Sequence, residues 1–307
     1  MLTNQEAARR KIAIVTGGTP NLMGPAGVLF LSLQCFSADF FENADKYFFV
    51  AGRGEDDNSN ALSRIDVKIT TLPDTLEWNS KNPSLEHFTT GVLSKFQVFR
   101  LSGRYDNVTW MDCDQINTAN LWSSFVELQS FQMFVVDSGG NGLIDFHEKH
   151  PRLDLLIKKG LFDPAQAPIC GNYFGVNSRL THLYPESLRL FKDLQAELYM
   201  PDQGVLNILL QNEIRTIARL SNKLYTPHPA DCPTSRLLRR DQEPPYFVHC
   251  YGQPKFWSGF HYPLWMEFYE AWLDLGGTPF LAEKDTTKPR LLKRAFQKVS
   301  NLFKLLP

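Results

Sequence analysis

Charge imbalance, paired cysteines and long apolar runs are all scarce in this 307-residue chain, and each scarcity removes a class of protein. The 32 Lys and Arg against 33 Asp and Glu leave a net charge of -1. Nothing in that balance draws the chain to nucleic acid, and none is expected among its partners. Five cysteines, Cys35, Cys113, Cys170, Cys232 and Cys250, are scattered without a C-x-x-C pair. An odd number of dispersed thiols makes no disulfide framework, so a reducing, cytoplasmic setting is expected. No stretch reaches the ~18 apolar residues of a membrane-spanning helix. Met1 to Glu6 carry neither the basic region nor the apolar core of a signal peptide, and none is expected. G-x-G-x-x-G and G-x-x-x-x-G-K are both missing, which sets aside the dinucleotide and P-loop fingerprints. His147-Glu148-Lys149-His150 is not H-E-x-x-H and has no zinc spacing.

What is present is a hydrophobic content of 43%, enough in a chain of this length to bury one large core with a small appendage. Lys11 to Gly18 reads as a buried parallel strand ending in a glycine turn, followed by apolar helix residues 26–33. Tyr47 to Val50 is a second strand, with a polar loop at 53–60 behind it, and 65–71 a third. Helices are expected at 84–99, 186–198 and 205–217. Strands alternating with helices predict a three-layer α/β/α domain with a mostly parallel sheet.

Chemistry concentrates where Asn107-Val108-Thr109-Trp110-Met111 runs into Asp112-Cys113-Asp114. Successive strand residues face opposite ways, so the two aspartates share a cation only if the chain turns out of the strand at Cys113. Two carboxylates leave Mg²⁺ or Mn²⁺ with residual charge and open positions, which suits bridging to a diphosphate. His249 follows the apolar run Tyr246-Phe247-Val248, where a neutral imidazole could complete that coordination or serve as a structural residue. Gly252 and Lys255 come next; the lysine can place a point charge on a departing phosphate while the glycine admits close backbone approach. Asp202, in Pro201-Asp202-Gln203, stands about where a helix N-cap would be, and the pair could equally face a sugar.

Taken together these segments resemble glycosyltransferase family 8, the retaining, UDP-sugar-dependent enzymes that include glycogenin and bacterial lipopolysaccharide galactosyl- and glucosyltransferases. Asp112-Cys113-Asp114 matches the family D-x-D, Asp202 to Asn207 its D-Q-x-x-L-N, and His249 to Trp257 its H-x-x-G-x-x-K-P-W, with Phe256 where the family has proline. The likeness runs over roughly residues 10–260. It implies a GT-A architecture over residues 1–285 and transfer of a hexose from a UDP-sugar to a hydroxyl of a glycan or glycolipid. It further implies Mn²⁺ or Mg²⁺ on Asp112, Asp114 and His249, and a diphosphate on Gly252 and Lys255. Thr16 and Gly17 would cradle uracil and ribose, Lys95 would touch the sugar diphosphate, and Gln203 with Asp202 would stabilise the anomeric centre. The family F-N-[AS]-G-V corresponds to Asn172-Tyr173-Phe174-Gly175-Val176, which puts Tyr173 in place of the sugar-binding Asn and leaves Asn172 to reach the sugar from one residue away.

Other readings compete. A nucleotidyltransferase would use the same metal logic. Asp137 to Glu148 has the spacing of a calcium-binding EF-hand loop without a ligand at Gly139, which would suit a calcium-binding module, and a carbohydrate-binding protein is a third possibility. Residues 286–307 predict a basic amphipathic helix, with Lys288, Arg290, Lys293, Arg294, Lys298 and Lys304 and no acid from Lys288 on. Such a helix lies on the inner face of a membrane or packs on the domain.

Overall fold

The computed structural model describes residues 11–52, 57–72, 90–138, 142–146, 151–177, 180–237 and 243–281. Its strands are β1 (Ile12–Gly18), β2 (Ala44–Val50), β3 (Val67–Thr71), β4 (Asn107–Met111), β5 (Gln115–Asn117), β6 (Met133–Asp137), β7 (Ile169–Val176), β8 (Ile217–Leu220) and β9 (Phe247–His249). Seven form one sheet in the order β3-β2-β1-β4-β7-β6-β8, while β5 and β9 pair separately. Within the large sheet β7 alone runs against its neighbours β4 and β6, and the other pairs are parallel. The mostly parallel α/β/α architecture expected from the sequence is the one observed.

Its layering follows from strand periodicity. Along β1, Ile12 and Ile14 join the core on one face, and Ala13 and Val15 join the core on the other. All seven residues of β1 are buried, as befits an interior strand of a doubly covered sheet. Against the first face lies helix α1 (Met23–Phe36), whose buried residues run around its circumference because α5 (Pro263–Asp274) covers its far side. Helices α3 (Leu183–Leu194) and α4 (Pro201–Glu213) pack against the second face. No helix among the described residues is long and apolar enough to cross a membrane.

Several boundaries differ from expectation. The polar stretch expected as a loop at 53–60 contributes Asp57 onward to helix α2 (Asp57–Arg64), with residues 53–56 outside the described part. Asp57 in its first turn and Arg64 in its last oppose the helix dipole, and Ala61 and Leu62 supply the buried contact. Of the helix expected at 84–99, the described residues form a 3₁₀ segment, Thr90–Phe96, and a short α-helix, Gln97–Leu101. Helix α3 begins and ends a turn earlier than 186–198. Helix α4 starts on Pro201, whose fixed φ suits a first helical position, and Ile217 opens β8 instead of closing the helix. Residues 286–307 lie outside the described residues.

From β1 the chain builds outward through β2 and β3, then returns to the other side of β1 as β4. That reversal is the switch point at which strand carboxyl ends open a crevice in α/β sheets.

Candidate metal and diphosphate site

At the carboxyl end of β4 the backbone leaves the sheet in a turn through Cys113 and Asp114 before β5 begins. Asp112 is still tied to the sheet, its N–H donating to the carbonyl of Asn172 on β7 at 2.9 Å. Asp114 is tied to the ribbon, its carbonyl accepting from Cys250 N at 2.9 Å. Because Gln115 on β5 is the strand partner of His249 on β9, the imidazole is delivered beside the turn across 134 residues of sequence (249 - 115). One ligand atom each from Asp112, Asp114 and His249 then lies within 4.8 Å of the other two. The turn at Cys113 is the one that the D-x-D required.

Two lysines attend these carboxylates. Lys95, from the 3₁₀ segment, sits 3.1 Å from Asp112 Oδ1 and 2.5 Å from Asp202 Oδ2. Trp110 Nε1 donates to the same Asp112 oxygen at 2.7 Å, and the ammonium lies 5.7 Å from the Trp110 ring. Burial works against the charge of Lys95, but Asp112 and Asp202 outweigh it and hold the ammonium well above the usual lysine range. Lys255 pairs with Asp114 Oδ2 and donates to Cys250 O at 3.1 Å. His249 Nε2 lies 3.1 Å from the other oxygen of Asp114. Burial opposes the ionised form of Asp114 too, and His249 and Lys255 overcome it, so this carboxyl stays well below its ordinary range. Asp112 moves upward, through burial first and the neighbouring Asp114 charge, against the pull of Lys95.

Deeper in the crevice the first turn of α4 faces β7. Asp202 is not the N-cap, a position held by Met200, but a buried residue inside the turn. Gln203 is held at both ends of its amide, accepting from Gly171 N at 3.0 Å and donating to Asp145 Oδ1 at 2.7 Å. Asn207 donates to Asp145 Oδ2 at 2.7 Å and accepts from Ile169 N at 3.0 Å. Gly171 faces this cluster: a Cβ there would stand in ordinary contact, 3.4 Å from the Lys95 ammonium and 3.6 Å from Asp202 Oδ2. Asp145 is fully buried, and its carboxyl is pushed up to about 7 by burial, with Asp202 adding and the two amide donors opposing. Nothing in the sequence singles out Asp145 for this place; it falls inside the EF-hand-like segment Asp137 to Glu148 without a role of its own.

The remaining expected residues frame this cluster. Thr16 and Gly17 reach it through Cys113, whose sulfur lies 3.1 Å from Thr16 Oγ1 and 3.7 Å from Gly17 O. Burial pushes the Cys113 thiol up to about 12, so it is no nucleophile. Gly252 is exposed with φ 74°, a left-handed turn that lets the chain double back from His249 to Lys255. Phe256, where the family motif has proline, is buried and stacks on Trp265 at 5.6 Å. Asn172 is 2% exposed and sits behind His249, its Nδ2 2.7 Å from the ring Nδ1. Tyr173 faces an aromatic core of Tyr225 and Phe247 and has no exposure. Tyr251, unremarked in the sequence, is half exposed beside His249, with ring centroids 5.4 Å apart, and it leans on His228 at 4.8 Å.

Donor chemistry and charge both suit a divalent cation at the triad. The two carboxylates are the hard oxygen ligands that suit Mn²⁺ or Mg²⁺, and the imidazole adds a nitrogen, which suits later first-row metals better than Mg²⁺. Three carboxylates, Asp112, Asp114 and Asp202, against the two ammonium groups of Lys95 and Lys255 leave one negative charge (2 - 3 = -1). A divalent ion would turn that excess positive and complementary to a diphosphate. In the EF-hand-like segment the preceding Phe134-Val135-Val136 is strand, Asp137 pairs with Arg219 at 2.6 Å, and Asp145 turns inward to Gln203 and Asn207. Residues 139–141, 147 and 148 of that segment lie outside the described residues.

No protein-family model matches the chain, and no curated protein matches it. Solved structures do. The galactosyltransferase LgtC, crystallised with donor and acceptor sugar analogs, superposes with a TM-score of 0.60 at 13% identity, covering 92% of this chain and 99% of that one. The bifunctional glycosyltransferase WbbM gives 0.54 at 14% identity, over 85% of this chain and 52% of WbbM. The glycosyltransferase GlyE of Streptococcus pneumoniae TIGR4 gives 0.53 at 14% identity, over 87% and 63%. At such identities the likeness establishes a shared fold, the GT-A-type arrangement of the sheet and its flanking helices.

Proposed function

We propose that this chain is a retaining, metal-dependent glycosyltransferase of the family 8 kind, transferring a hexose from a UDP-sugar to a hydroxyl of a glycan or glycolipid. The observation that carries the reading is convergence: Asp112, Asp114 and His249 meet within 4.8 Å, Lys95 and Lys255 pair with the two aspartates, and Lys95 links them to Asp202 at the start of α4, beside Gln203. In support, the fold is shared with structures titled glycosyltransferases, one of them holding donor and acceptor sugar analogs.

Asp112, Asp114 and His249 would hold Mn²⁺ or Mg²⁺, which when bound supplies positive charge to the diphosphate. Lys255, released from Asp114, is placed to take a β-phosphate oxygen as the bond from the anomeric carbon to that oxygen breaks and its electron pair passes to UDP. Thr16 and Gly17 at the end of β1 lie where the nucleoside would rest. Asp202 and Gln203 line the sugar side. Gln203 has both ends of its amide engaged and Asp202 is paired to Lys95, so neither stands free as a nucleophile. This favours front-face transfer, in which the acceptor oxygen bonds to the anomeric carbon on the face the phosphate leaves and its proton passes to the leaving phosphate. The half-exposed ring of Tyr251 offers an apolar face for the acceptor sugar. Residues 286–307 would bring the catalytic domain of residues 1–285 to the cytoplasmic face of a membrane that carries a lipid-linked acceptor.

The deciding experiment is a panel of UDP-sugars with Mn²⁺, read as UDP release by hydrolysis without acceptor. One donor should give UDP and not pyrophosphate, and an α-linked donor should give an α-linked product. Pyrophosphate release would instead identify a nucleotidyltransferase. Asp114→Ala should lower the rate by more than the ~10–100-fold typical of groups that merely support metal ligands. Hydrolysis unaffected by that substitution would remove the metal site from the reaction.

A further inference from the structure

Two N–H groups of β7 donate to side chains of α4, Ile169 N to Asn207 Oδ1 and Gly171 N to Gln203 Oε1, each at 3.0 Å. A backbone N–H can only donate, so both amide oxygens are fixed toward β7 and both NH₂ ends are turned the other way. There they meet a single carboxyl group. Gln203 Nε2 donates to Asp145 Oδ1 and Asn207 Nδ2 to Asp145 Oδ2, each at 2.7 Å. Asn207 Nδ2 also donates to the carbonyl of Gln203 at 3.0 Å.

Asp145 holds the same turn through its backbone. Its carbonyl accepts from Tyr199 N at 2.8 Å and from Met200 N at 3.0 Å, immediately before α4 begins at Pro201. Main chain and side chain of one fully buried residue therefore fasten the entry and the first turn of the helix that carries Asp202 and Gln203. Gln203 keeps capacity beyond these bonds. A carbonyl oxygen has two lone pairs and the Gly171 bond takes one, while an NH₂ group has two hydrogens and Asp145 takes one. Gln203 is only partly buried, which leaves the second lone pair open to a ligand in the crevice.

We infer that Asp145 is a positioning residue for sugar transfer that acts through Gln203: it clamps the NH₂ end of the carboxamide whose oxygen Gly171 holds, and so fixes the second lone pair of that oxygen for the anomeric centre of a bound sugar. The inference rests on the glycosyl-transfer reading above. That centre gains positive charge as the phosphate leaves, and an oxygen already oriented stabilises it without rearrangement. Asp145 acts on the sugar only through this amide. With the carboxyl removed, the amide is held by Gly171 alone and swings about that bond. A misplacement of about 1 Å at a reacting centre costs on the order of 100-fold in rate.

The test pairs a loss with a reciprocal rescue. Hydrolysis of the donor found with the UDP-sugar panel is measured as kcat and KM for wild type, Asp145→Ala, Gln203→Glu and the double variant Asp145→Asn with Gln203→Glu. Asp145→Ala should lower kcat about 10- to 100-fold and leave the donor KM nearly unchanged, since the oriented oxygen acts on the transition state. In Gln203→Glu a second carboxylate faces Asp145 where a donor stood. Adding Asp145→Asn restores every match, because the new amide donates to that carboxylate and accepts from Asn207, so the double variant should turn over faster than Gln203→Glu alone. A merely structural Asp145 would make the double variant slower still. Wild-type kcat in a folded Asp145→Ala, or a double variant no faster than Gln203→Glu, would overturn the inference and leave the functional proposal standing. If the alanine variant does not fold, the comparison with Gln203→Glu decides. Wild type that releases UDP from none of the UDP-sugars overturns both.

Discussion

The buried carboxyl of Asp145, pushed up to about 7, lies close to half protonation near neutral pH, held between the amides of Gln203 and Asn207. Its folded value lies above its ordinary 3.8, so the folded state keeps the proton more tightly than the unfolded one. The stabilisation this gives is complete below about pH 4 and is lost as pH rises toward 7. Asp145→Asn should flatten that stretch of the dependence of thermal midpoint on pH, measured by calorimetry from pH 4 to 8. A decline as steep as in wild type would show that another group is responsible. Tyr251 gives a prediction for turnover: Tyr251→Ala should raise the acceptor KM about 10-fold more than the donor KM, the size of one lost aromatic contact. Equal effects on both would remove it from the acceptor side. The metal triad was legible through the resemblance to glycosyltransferase family 8, because D-x-D at a strand end and H-x-x-G-x-x-K are local patterns that the family motifs match. Asp145 was not, since its partners come from α4, 58 and 62 residues further on.

Among the elements, the 3₁₀ segment carrying Lys95 is bonded electrostatically to both the end of β4 and the start of α4. Lys95→Met would leave Asp112 and Asp202 as largely buried carboxylates without their counter-ion. We expect a loss of about 3 kcal/mol at pH 7, measured by urea denaturation, because an uncompensated buried charge costs more than the pair contributed. The deficit should shrink on acidification as the freed carboxyls take up protons, and a deficit that stays constant with pH would contradict this account. Strands β1 and β4 were legible as β-branched and apolar runs stopped by Gly17-Gly18 and by Asp112. Helix α2 was not: Asp57-Asn58-Ser59-Asn60 is rich in turn formers, and what makes it helical is a dipole-matched pair of ends and the burial of Ala61 and Leu62.

For the whole molecule the proposed membrane attachment is separable from the fold, since residues 11–281 contain the sheet, its covering helices and the site. A chain ending at Asp285 should keep UDP-sugar hydrolysis and lose co-sedimentation with anionic liposomes, whereas unchanged sedimentation would assign the six basic residues from Lys288 to some other contact. The sequence by itself determined the class of fold, because period-two apolar strands alternating with helices leave few architectures that can bury both faces of a sheet. It also held the motifs proposed here to meet a cation and a diphosphate, since those motifs are written in contiguous residues. Only the tertiary structure decided how they are held: that Lys95 joins Asp112 to Asp202, that Gln203 is fastened to Asp145, and that Asn172 stands behind His249. Each of these joins segments far apart in the chain across the crevice beside β4, and such partnerships depend on strand order and register, which no local pattern of residues records.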